Sequence, residues 1–491
     1  MSAKRTSMFL AIVLILALGL RLFHLSQRVL WFDEANSLLI AKASPSQIID
    51  AVRDDTHSPF YYLVLHYWQF VTGGEMGGRL LSVLAGVATV AVAYSLGCAL
   101  MGRNAGLLAA AFLAVNPLHI WYSQELRMYT LQTLLVSVSF LLMLLALRRD
   151  RFALWAGYAV VTAMSLYAQY ASFYAVIAQN AFVVFYHWRD RPKLRHWFLS
   201  QCAVLLLFAP WLPAFVSQAK MAAGSSWLGP LDPGRVLAFF SLFSGAYLGD
   251  THGRALSVAV TVAALVIPAV ILWCRRESRQ PALLLLLWFV VPVVLLILQS
   301  LNQNRFLPRV LLCTTPPFAL LLGCATVRPG KVIVRSIAAT VGVALLAANV
   351  YALRNYYILD NAWVKSDLRE AATTLGSEIQ PGDIVLHLSE HSLRPFQCYL
   401  EPGITQAVID TPVYQPHLFP VTGDGRLPQD TASCHRIWLV LYRDQFHRDL
   451  ADSTRDWMNH HHHFVRALHD STTIFVGLYE RADPQLAPAS H

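Results

Sequence analysis

Apolar positions in this chain come in long unbroken runs. They do not form the one-sided stripe of a soluble helix or the alternation of a half-buried strand. The runs lie at 8–20, 80–101, 105–118, 127–147, 153–170, 173–187, 197–216, 255–273, 281–300, 308–326 and 332–352. A stretch of about 20 apolar residues matches the hydrocarbon thickness of a bilayer. The pattern therefore predicts about eleven transmembrane helices, with 105–118 short for a span. After Tyr351 the long runs stop. A helix-like stretch over 361–379 ends at the turn signal Pro381-Gly382-Asp383. Strand-like runs follow at Asp383–Leu388, Arg436–Tyr442 and Thr472–Tyr479. The expected fold is a polytopic α-helical membrane protein with a small C-terminal α/β domain. The transmembrane domain covers 1–354 and the α/β domain 355–491.

Charge gives the runs a direction. The basic residues fall in alternate connections: Lys4 and Arg5; Arg103; Arg148, Arg149 and Arg151; Arg189, Arg191, Lys193 and Arg195; Arg275, Arg276 and Arg279; Arg328 and Lys331. Basic loops face the cytoplasm. The N-terminus is therefore expected inside, in an inner (cytoplasmic) membrane. An odd number of spans then exports the C-terminal domain to the periplasmic or external side. No small-residue cleavage site follows the first run, so it reads as a retained helix and not a signal peptide. Over the 491 residues 56 % are hydrophobic and 14 % charged, against about 25 % charged for a soluble domain. This composition excludes a soluble enzyme, a disordered chain and a disulfide-rich secreted domain. The net charge of +9 orients the spans and does not mark a nucleic-acid binder. Two of the seven cysteines, Cys398 and Cys434, fall in the C-terminal domain. An oxidising compartment permits a disulfide there, and the sequence leaves it open.

The connections between basic loops hold the candidate chemistry. The first, about 26–78, opens Trp31-Phe32-Asp33-Glu34-Ala35-Asn36 and continues Asp54-Asp55-Thr56-His57-Ser58-Pro59-Phe60-Tyr61-Tyr62. Asp33 is placed to cap a helix over 34–43. Charges beside Trp and Phe at the interface are costly unless used. The aromatic stretch Phe60–Phe70 suits a helix lying in the interface. A second cluster reads Trp121-Tyr122-Ser123-Gln124-Glu125-Leu126-Arg127-Met128-Tyr129, with Glu125 and Arg127 expected to open a membrane helix. Glu125 has a structural explanation through the helix dipole. Arg127 runs against the orientation rule and is a natural partner for phosphate or carboxylate. A third cluster, Asn302-Gln303-Asn304-Arg305-Phe306-Leu307-Pro308-Arg309, adds two arginines; snorkelling to headgroups is their other explanation. Carboxylates with arginines suit transfer from a lipid phosphate to a hydroxyl: one acid takes the acceptor's proton, and cations stabilise the departing phosphate.

The Asp33-Glu34 pair, the stretch Asp54–Tyr62 and the stretch Tyr122–Tyr129, in this order, resemble the GT-C membrane glycosyltransferases, and Arg305–Arg309 continues the likeness more weakly. The nearest branch is the bacterial one related to protein O-mannosyltransferases and lipid A aminoarabinose transferases. The resemblance is strongest over about 20–150, and the stretch from Trp363 to Asp383 is also similar. It implies transfer of a sugar from a polyprenyl-phosphate donor to a glycan, lipid or protein acceptor, with inversion. It implies Asp33 as general base with Glu34 beside it, and Asp54 or Asp55 as second acid. His57 and Arg127 would contact the donor phosphate or support the acids, with Arg305 and Arg309 as further phosphate contacts. Tyr61, Tyr122 and Glu125 complete the expected substrate-binding set. The family's His-Pro-Pro stands here as His57-Ser58-Pro59. No essential metal or other cofactor is expected; a divalent ion held by the paired acids and His57 is the alternative. The run His460–His463 lacks the spacing of a built metal site. Two other function classes compete. A flippase for a lipid-linked sugar needs charges deep in several spans, and the runs carry almost none. A non-catalytic envelope scaffold would use the exported domain for binding.

Overall fold

The computed structural model of this chain describes residues 3–224, 229–244, 251–302, 304–327, 332–359, 368–409, 434–442 and 448–481. Its helices begin α1 (Ala3–Leu22), α2 (Phe32–Lys42), α3 (Pro45–Arg53), α4 (Phe60–Thr72), α5 (Gly74–Met101), α6 (Arg103–Ala114) and α7 (Pro117–Ser123). They continue with α8 (Tyr129–Arg149), α9 (Phe152–Ala168), α10 (Ser172–His187), α11 (Arg191–Phe208), α12 (Leu212–Gly224), α13 (Pro233–Ser241) and α14 (Thr251–Trp273). The last are α15 (Arg279–Asn302), α16 (Thr315–Val327), α17 (Val332–Arg354), α18 (Leu368–Glu378), α19 (Glu390–Tyr399) and α20 (Arg448–His461). The strands are β1 (Ile384–His387), β2 (Thr405–Val408), β3 (Arg436–Tyr442), β4 (His462–Asp470) and β5 (Ile474–Arg481). Two compact units result: Met1–Leu25 with Val52–Asp360, and Ser26–Ala51 with Asn361–His491.

In the first unit each apolar run is helical over most of its length. Among the described residues eight helical segments are long and apolar enough to cross a membrane, or nine if α6 and α7 form one bent span. Helices α9 and α10, with 17 and 16 residues, fall below that length and are the two runs by which the expected eleven exceeds nine. A polar chain joins four helices inside the bundle. Ser139 Oγ lies 2.7 Å from Thr162 Oγ1, Gln179 Nε2 donates to Ser139 Oγ at 2.9 Å, and Tyr158 OH donates to Gln179 Oε1 at 2.9 Å. Gln201 Nε2 then donates to Tyr158 OH at 3.2 Å. Such interhelical bonds contribute about 0.6 kcal/mol each in a membrane.

The 64° bend between α6 and α7 frees backbone groups that must be satisfied at membrane depth. Arg21, fully buried at the end of α1, supplies donors. Its guanidinium donates to the carbonyls of Ala17 and Ala114 at 2.9 and 3.1 Å, and to Ser123 Oγ at 3.2 Å. Its other terminal nitrogen lies 2.8 Å from His119 Nδ1. On the far side of the bend, Asn116 Oδ1 caps α7 by accepting from the His119 N–H at 2.9 Å, with Pro117 at the first helical position. Helix α4 is one-sided. Tyr61, Tyr62 and Leu65 are buried while Tyr67, Phe70 and Val71 are exposed, the pattern expected of an interfacial helix.

The second unit is a three-layer α/β/α sandwich. Its sheet has the order β2-β1-β3-β5-β4. Strand β1 is parallel to β2 and β3, and β5 is antiparallel to β3 and β4. Helices α18 and α19 cover one face through Leu368, Leu375 and Phe396 on Val385, Trp438 and Val440. Helix α20 covers the other through Ala451 and Met458 on Leu386, Leu439 and Leu441. Because both faces are covered, β3 reads as a continuous apolar run, and β1 and β5 also fall where the pattern predicts strands. Strands β2 and β4 were not predicted. The first has four residues, and the second opens in the histidine run. That run divides: His460 and His461 end α20, His462 is buried with Nε2 donating to the Cys434 carbonyl at 3.1 Å, and His463 is exposed. Burial holds His462 below the usual histidine range. The cysteines are free thiols. Cys434 packs with the α20 face, and Cys398 sits on α19, whose Phe396 and Leu400 pack on the opposite face. The predicted helix over 361–379 is seen as α18; residues 361–367, including Trp363, lie outside the described residues.

Candidate functional site

The two acidic clusters of the first loop occupy different units. In the first unit a short turn, Asp54–His57, follows α3. It decides between the adjacent aspartates: Asp54 is exposed, and Asp55 is 5 % exposed. The Asp55 carboxylate accepts from the backbone N–H of Thr56. Its other oxygen lies 2.7 Å from His57 Nδ1. On the far side of the ring, Arg127 Nη2 lies 3.0 Å from His57 Nε2. A guanidinium only donates, so Nε2 accepts and the ring proton sits on Nδ1, donated to Asp55. The neighbours thus set the tautomer, and Asp55, His57 and Arg127 form one hydrogen-bonded chain that runs from carboxylate through imidazole to guanidinium.

Arg127 does not open a helix as predicted. Helix α8 starts at Tyr129, and Glu125 and Arg127 lie in the turn after α7. The Arg127 N–H donates to the Glu125 carbonyl at 2.9 Å, and Ser82 Oγ donates to the Arg127 carbonyl at 3.3 Å. Trp121 Nε1 donates to Glu125 Oε1 at 3.0 Å. Tyr122 stacks on Trp121 at 5.2 Å and meets Tyr129 edge-on at 5.5 Å. Tyr129 is the point of convergence that sequence reasoning did not select. The guanidinium carbons of Arg127 and Arg309 lie 5.8 and 5.9 Å from its ring centroid. The signal was its place two residues after Arg127. The structure turns Arg305 elsewhere, to the carbonyl of Ala222 on α12. Tyr61 is also one ring removed: it packs on Tyr62 at 5.5 Å, and Tyr62 meets His57 edge-on at 6.0 Å.

In the second unit Asp33 and Glu34 lie in the first turn of α2, whose N-cap is Trp31. Asp33 is therefore inside the helix and not its cap, where a carboxylate still meets the favourable end of the dipole. Asp33 is half-buried and Glu34 fully buried. Their helix and the segment leading to it are held by α18 and α19. Tyr399 OH accepts from the Leu30 N–H at 2.8 Å. Arg369 donates to the carbonyls of Ser26 and Arg28 at 3.0 and 2.5 Å. Phe32 meets His391 edge-on at 4.9 Å, and Cys398 Sγ lies 3.8 Å from the Ala35 carbonyl. Among the described residues no group of three or more His, Cys, Asp or Glu is arranged to hold a metal ion.

Comparison with known proteins bears on the whole chain. Residues 56–213, about a third of it, match the family described as dolichyl-phosphate-mannose-protein mannosyltransferase. No curated protein sequence matches. Among solved structures, ArnT from Cupriavidus metallidurans bound to undecaprenyl phosphate superposes with a TM-score of 0.62 at 13 % identity, covering 97 % of this chain and 98 % of that one. Its apo state superposes with a TM-score of 0.64 at 12 % identity, with the same coverage. The Archaeoglobus fulgidus oligosaccharyltransferase gives 0.56 at 12 % identity over 99 % of this chain and 76 % of that one. At such identity the likeness is one of fold, and the chain has the GT-C membrane fold expected from its sequence.

Proposed function

We propose that this chain is an integral-membrane glycosyltransferase. It moves a sugar from a polyprenyl-phosphate donor to an acceptor on the external, periplasmic face and inverts the anomeric carbon. The observation that carries this reading is the hydrogen-bonded chain Asp55–His57–Arg127, of which His57 and Arg127 fall within the segment that matches the mannosyltransferase family. Asp33 is the general base: it is the half-exposed acid of its pair, placed at a helix start. The acceptor hydroxyl loses its proton to Asp33 as its oxygen bonds to the anomeric carbon. The bond from that carbon to the phosphate oxygen breaks, and polyprenyl phosphate leaves with the electron pair. Arg127 and Arg309, gathered on Tyr129, stabilise the charge that develops on the phosphate. Asp55 and not Asp54 is the second acid. It holds the His57 proton in place so that the imidazole faces Arg127 with its acceptor nitrogen. Glu34 supports the start of α2, and Tyr61, Tyr122 and Glu125 line the phosphate end.

The basic loops put the N-terminus in the cytoplasm. An odd number of spans then exports the C-terminal domain. Arginines already supply cationic charge at the phosphate, so the reaction proceeds without a metal, and EDTA leaves turnover unchanged. The deciding experiment is mass spectrometry of polyprenyl-phosphate sugars in host membranes, comparing wild type, a deletion strain and the deletion carrying Asp33→Asn. One glycosyl-phosphoryl lipid accumulates in both defective strains, and its mass identifies the donor sugar. Restoration of wild-type levels by Asp33→Asn removes Asp33 from the chemistry. An unchanged lipid profile in the deletion removes the transferase reading.

A further inference from the structure

We infer that Gln218 is the positioning residue of the Asp55–His57 turn, an inference that rests on reading this turn as part of the transferase site. Gln218 lies on α12, inside the apolar segment Arg191–Ala222, and is 2 % exposed. A carboxamide in such a place is costly unless its atoms are bonded. Its side-chain hydrogen bonds all run outside its own helix. Nε2 donates to the carbonyls of Val52 at 2.6 Å, His57 at 3.1 Å and Arg53 at 3.3 Å. The Val52 and Arg53 carbonyls belong to the end of α3, where helix carbonyls lack intrahelical partners. The His57 carbonyl closes the other end of the turn. One side chain therefore ties together both ends of the segment that carries Asp55.

The orientation of that amide is itself determined. Trp211 Nε1 donates to Tyr170 OH at 2.7 Å, and Tyr170 OH lies 2.6 Å from Gln218 Oε1. An indole is a donor only. The tyrosine oxygen accepts from it and sends its own proton to Gln218 Oε1, which leaves the amide nitrogen facing the turn. Trp211 and Tyr170 thus lock Gln218, and Gln218 locks the turn, so that His57 stays 2.7 Å from Asp55. Helix α12 also takes the Arg305 guanidinium on its Ala222 carbonyl. The same helix therefore holds both the acidic turn and the loop of arginines.

The test uses the full-length protein in nanodiscs, with hydrogen–deuterium exchange of residues 52–58, binding of undecaprenyl phosphate, and turnover. Turnover is read as consumption of the accumulated lipid-linked sugar when protein is added to deletion-strain membranes, which hold donor and acceptor. Gln218→Leu speeds exchange in 52–58 alone, leaves undecaprenyl phosphate binding within about twofold, and lowers turnover on the order of 10²-fold, the scale set by an ångström-level misplacement. Gln218→Glu keeps the acceptor for Tyr170 but loses the donors. Its turnover rises as pH falls and the introduced carboxyl gains a proton to donate, a limb the wild type lacks. Tyr170→Phe, which frees the amide to flip, gives a smaller change of the same kind and serves if Gln218→Leu does not fold. Unchanged exchange over 52–58 in Gln218→Leu, or in Tyr170→Phe where that variant stands in, overturns the inference, as does faster exchange with turnover intact. Failure of the transferase reading is separate: it shows as an unchanged lipid profile in the deletion strain, while the exchange data still decide whether Gln218 holds the turn.

Discussion

The two acidic clusters of the first loop are some twenty residues apart in the chain, and different means hold them. Asp33 and Glu34 ride on a helix start. Hydrogen bonds to backbone groups and a ring contact from α18 and α19 fix it: a tyrosine hydroxyl, a cysteine, a ring edge and an arginine on backbone carbonyls. Asp55 sits in a turn among the membrane helices. Charged and amide groups from residues 70 to 166 positions away fix it. The first arrangement leaves a carboxylate half-exposed, as a group that exchanges protons with an acceptor must be. The second buries a carboxylate and commits its oxygens to neighbours, which suits orientation and electrostatics. The proposed function gives these two acids different work for that reason.

The sharpest way to break this contrast is to neutralise each acid in turn. Asp33→Asn is expected to lower turnover about 10²- to 10⁴-fold, the range of a general base, with undecaprenyl phosphate binding retained. Asp55→Asn, read in the same assay, is expected to cost less. The reverse order would exchange the two roles. Next in size is Arg127→Gln, which removes the donor to His57 Nε2 and a cation from Tyr129. It should weaken undecaprenyl phosphate binding by about 10-fold, the worth of one charge-assisted bond of roughly 1.5 kcal/mol. Measured binding equal to wild type would take Arg127 off the phosphate.

Acid distinguishes the bodies that hold the clusters. His387 is buried between Ser392 of α19 and Gln406, and burial lowers its pKa from 6.5 to about 3. It therefore stays neutral in the folded unit, while the unfolded chain takes a proton below pH 6.5. Its neutral burial weakens the fold by about 1.4 kcal/mol for each pH unit from 6.5 down to about 3, and costs nothing above 6.5. Tryptophan fluorescence during urea titration should show this loss in wild type and a flatter one in His387→Asn. Exchange over 26–42 should rise with acid before exchange over 52–58 does. The smallest expected effect belongs to Tyr399→Phe, which deletes one hydrogen bond to the Leu30 N–H, worth about 1 kcal/mol. Faster exchange confined to 26–32 is the expected sign of it.

Much of this was legible in the chain. The helical runs, three of the five described strands, His57, Arg127 and the Asp54-Asp55 pair could be read from residue type and order. What escaped has identifiable causes. Strand β2 is too short to show a period. Helices α9 and α10 are apolar but have only 17 and 16 residues, a length that hydropathy along the chain does not reveal. The start of α2 came two residues earlier than the cap signal suggested, because Trp31 and not Asp33 occupies the cap. Gln218 was not singled out, because nothing local to its helix marks the distant carbonyls it bonds.

By itself the sequence determined that the chain crosses a membrane many times, that a mixed α/β unit follows the last span, and that acids and arginines gather between the basic loops. These are local properties, set by transfer of side chains between water and hydrocarbon and by turn chemistry. Only the tertiary structure decided that Asp55 faces inward while Asp54 does not, that the His57 proton sits on Nδ1, and that a glutamine on a distant helix ties the turn. Each of these depends on hydrogen bonds between groups far apart in the chain, and a buried donor or acceptor is assigned by the partner that reaches it.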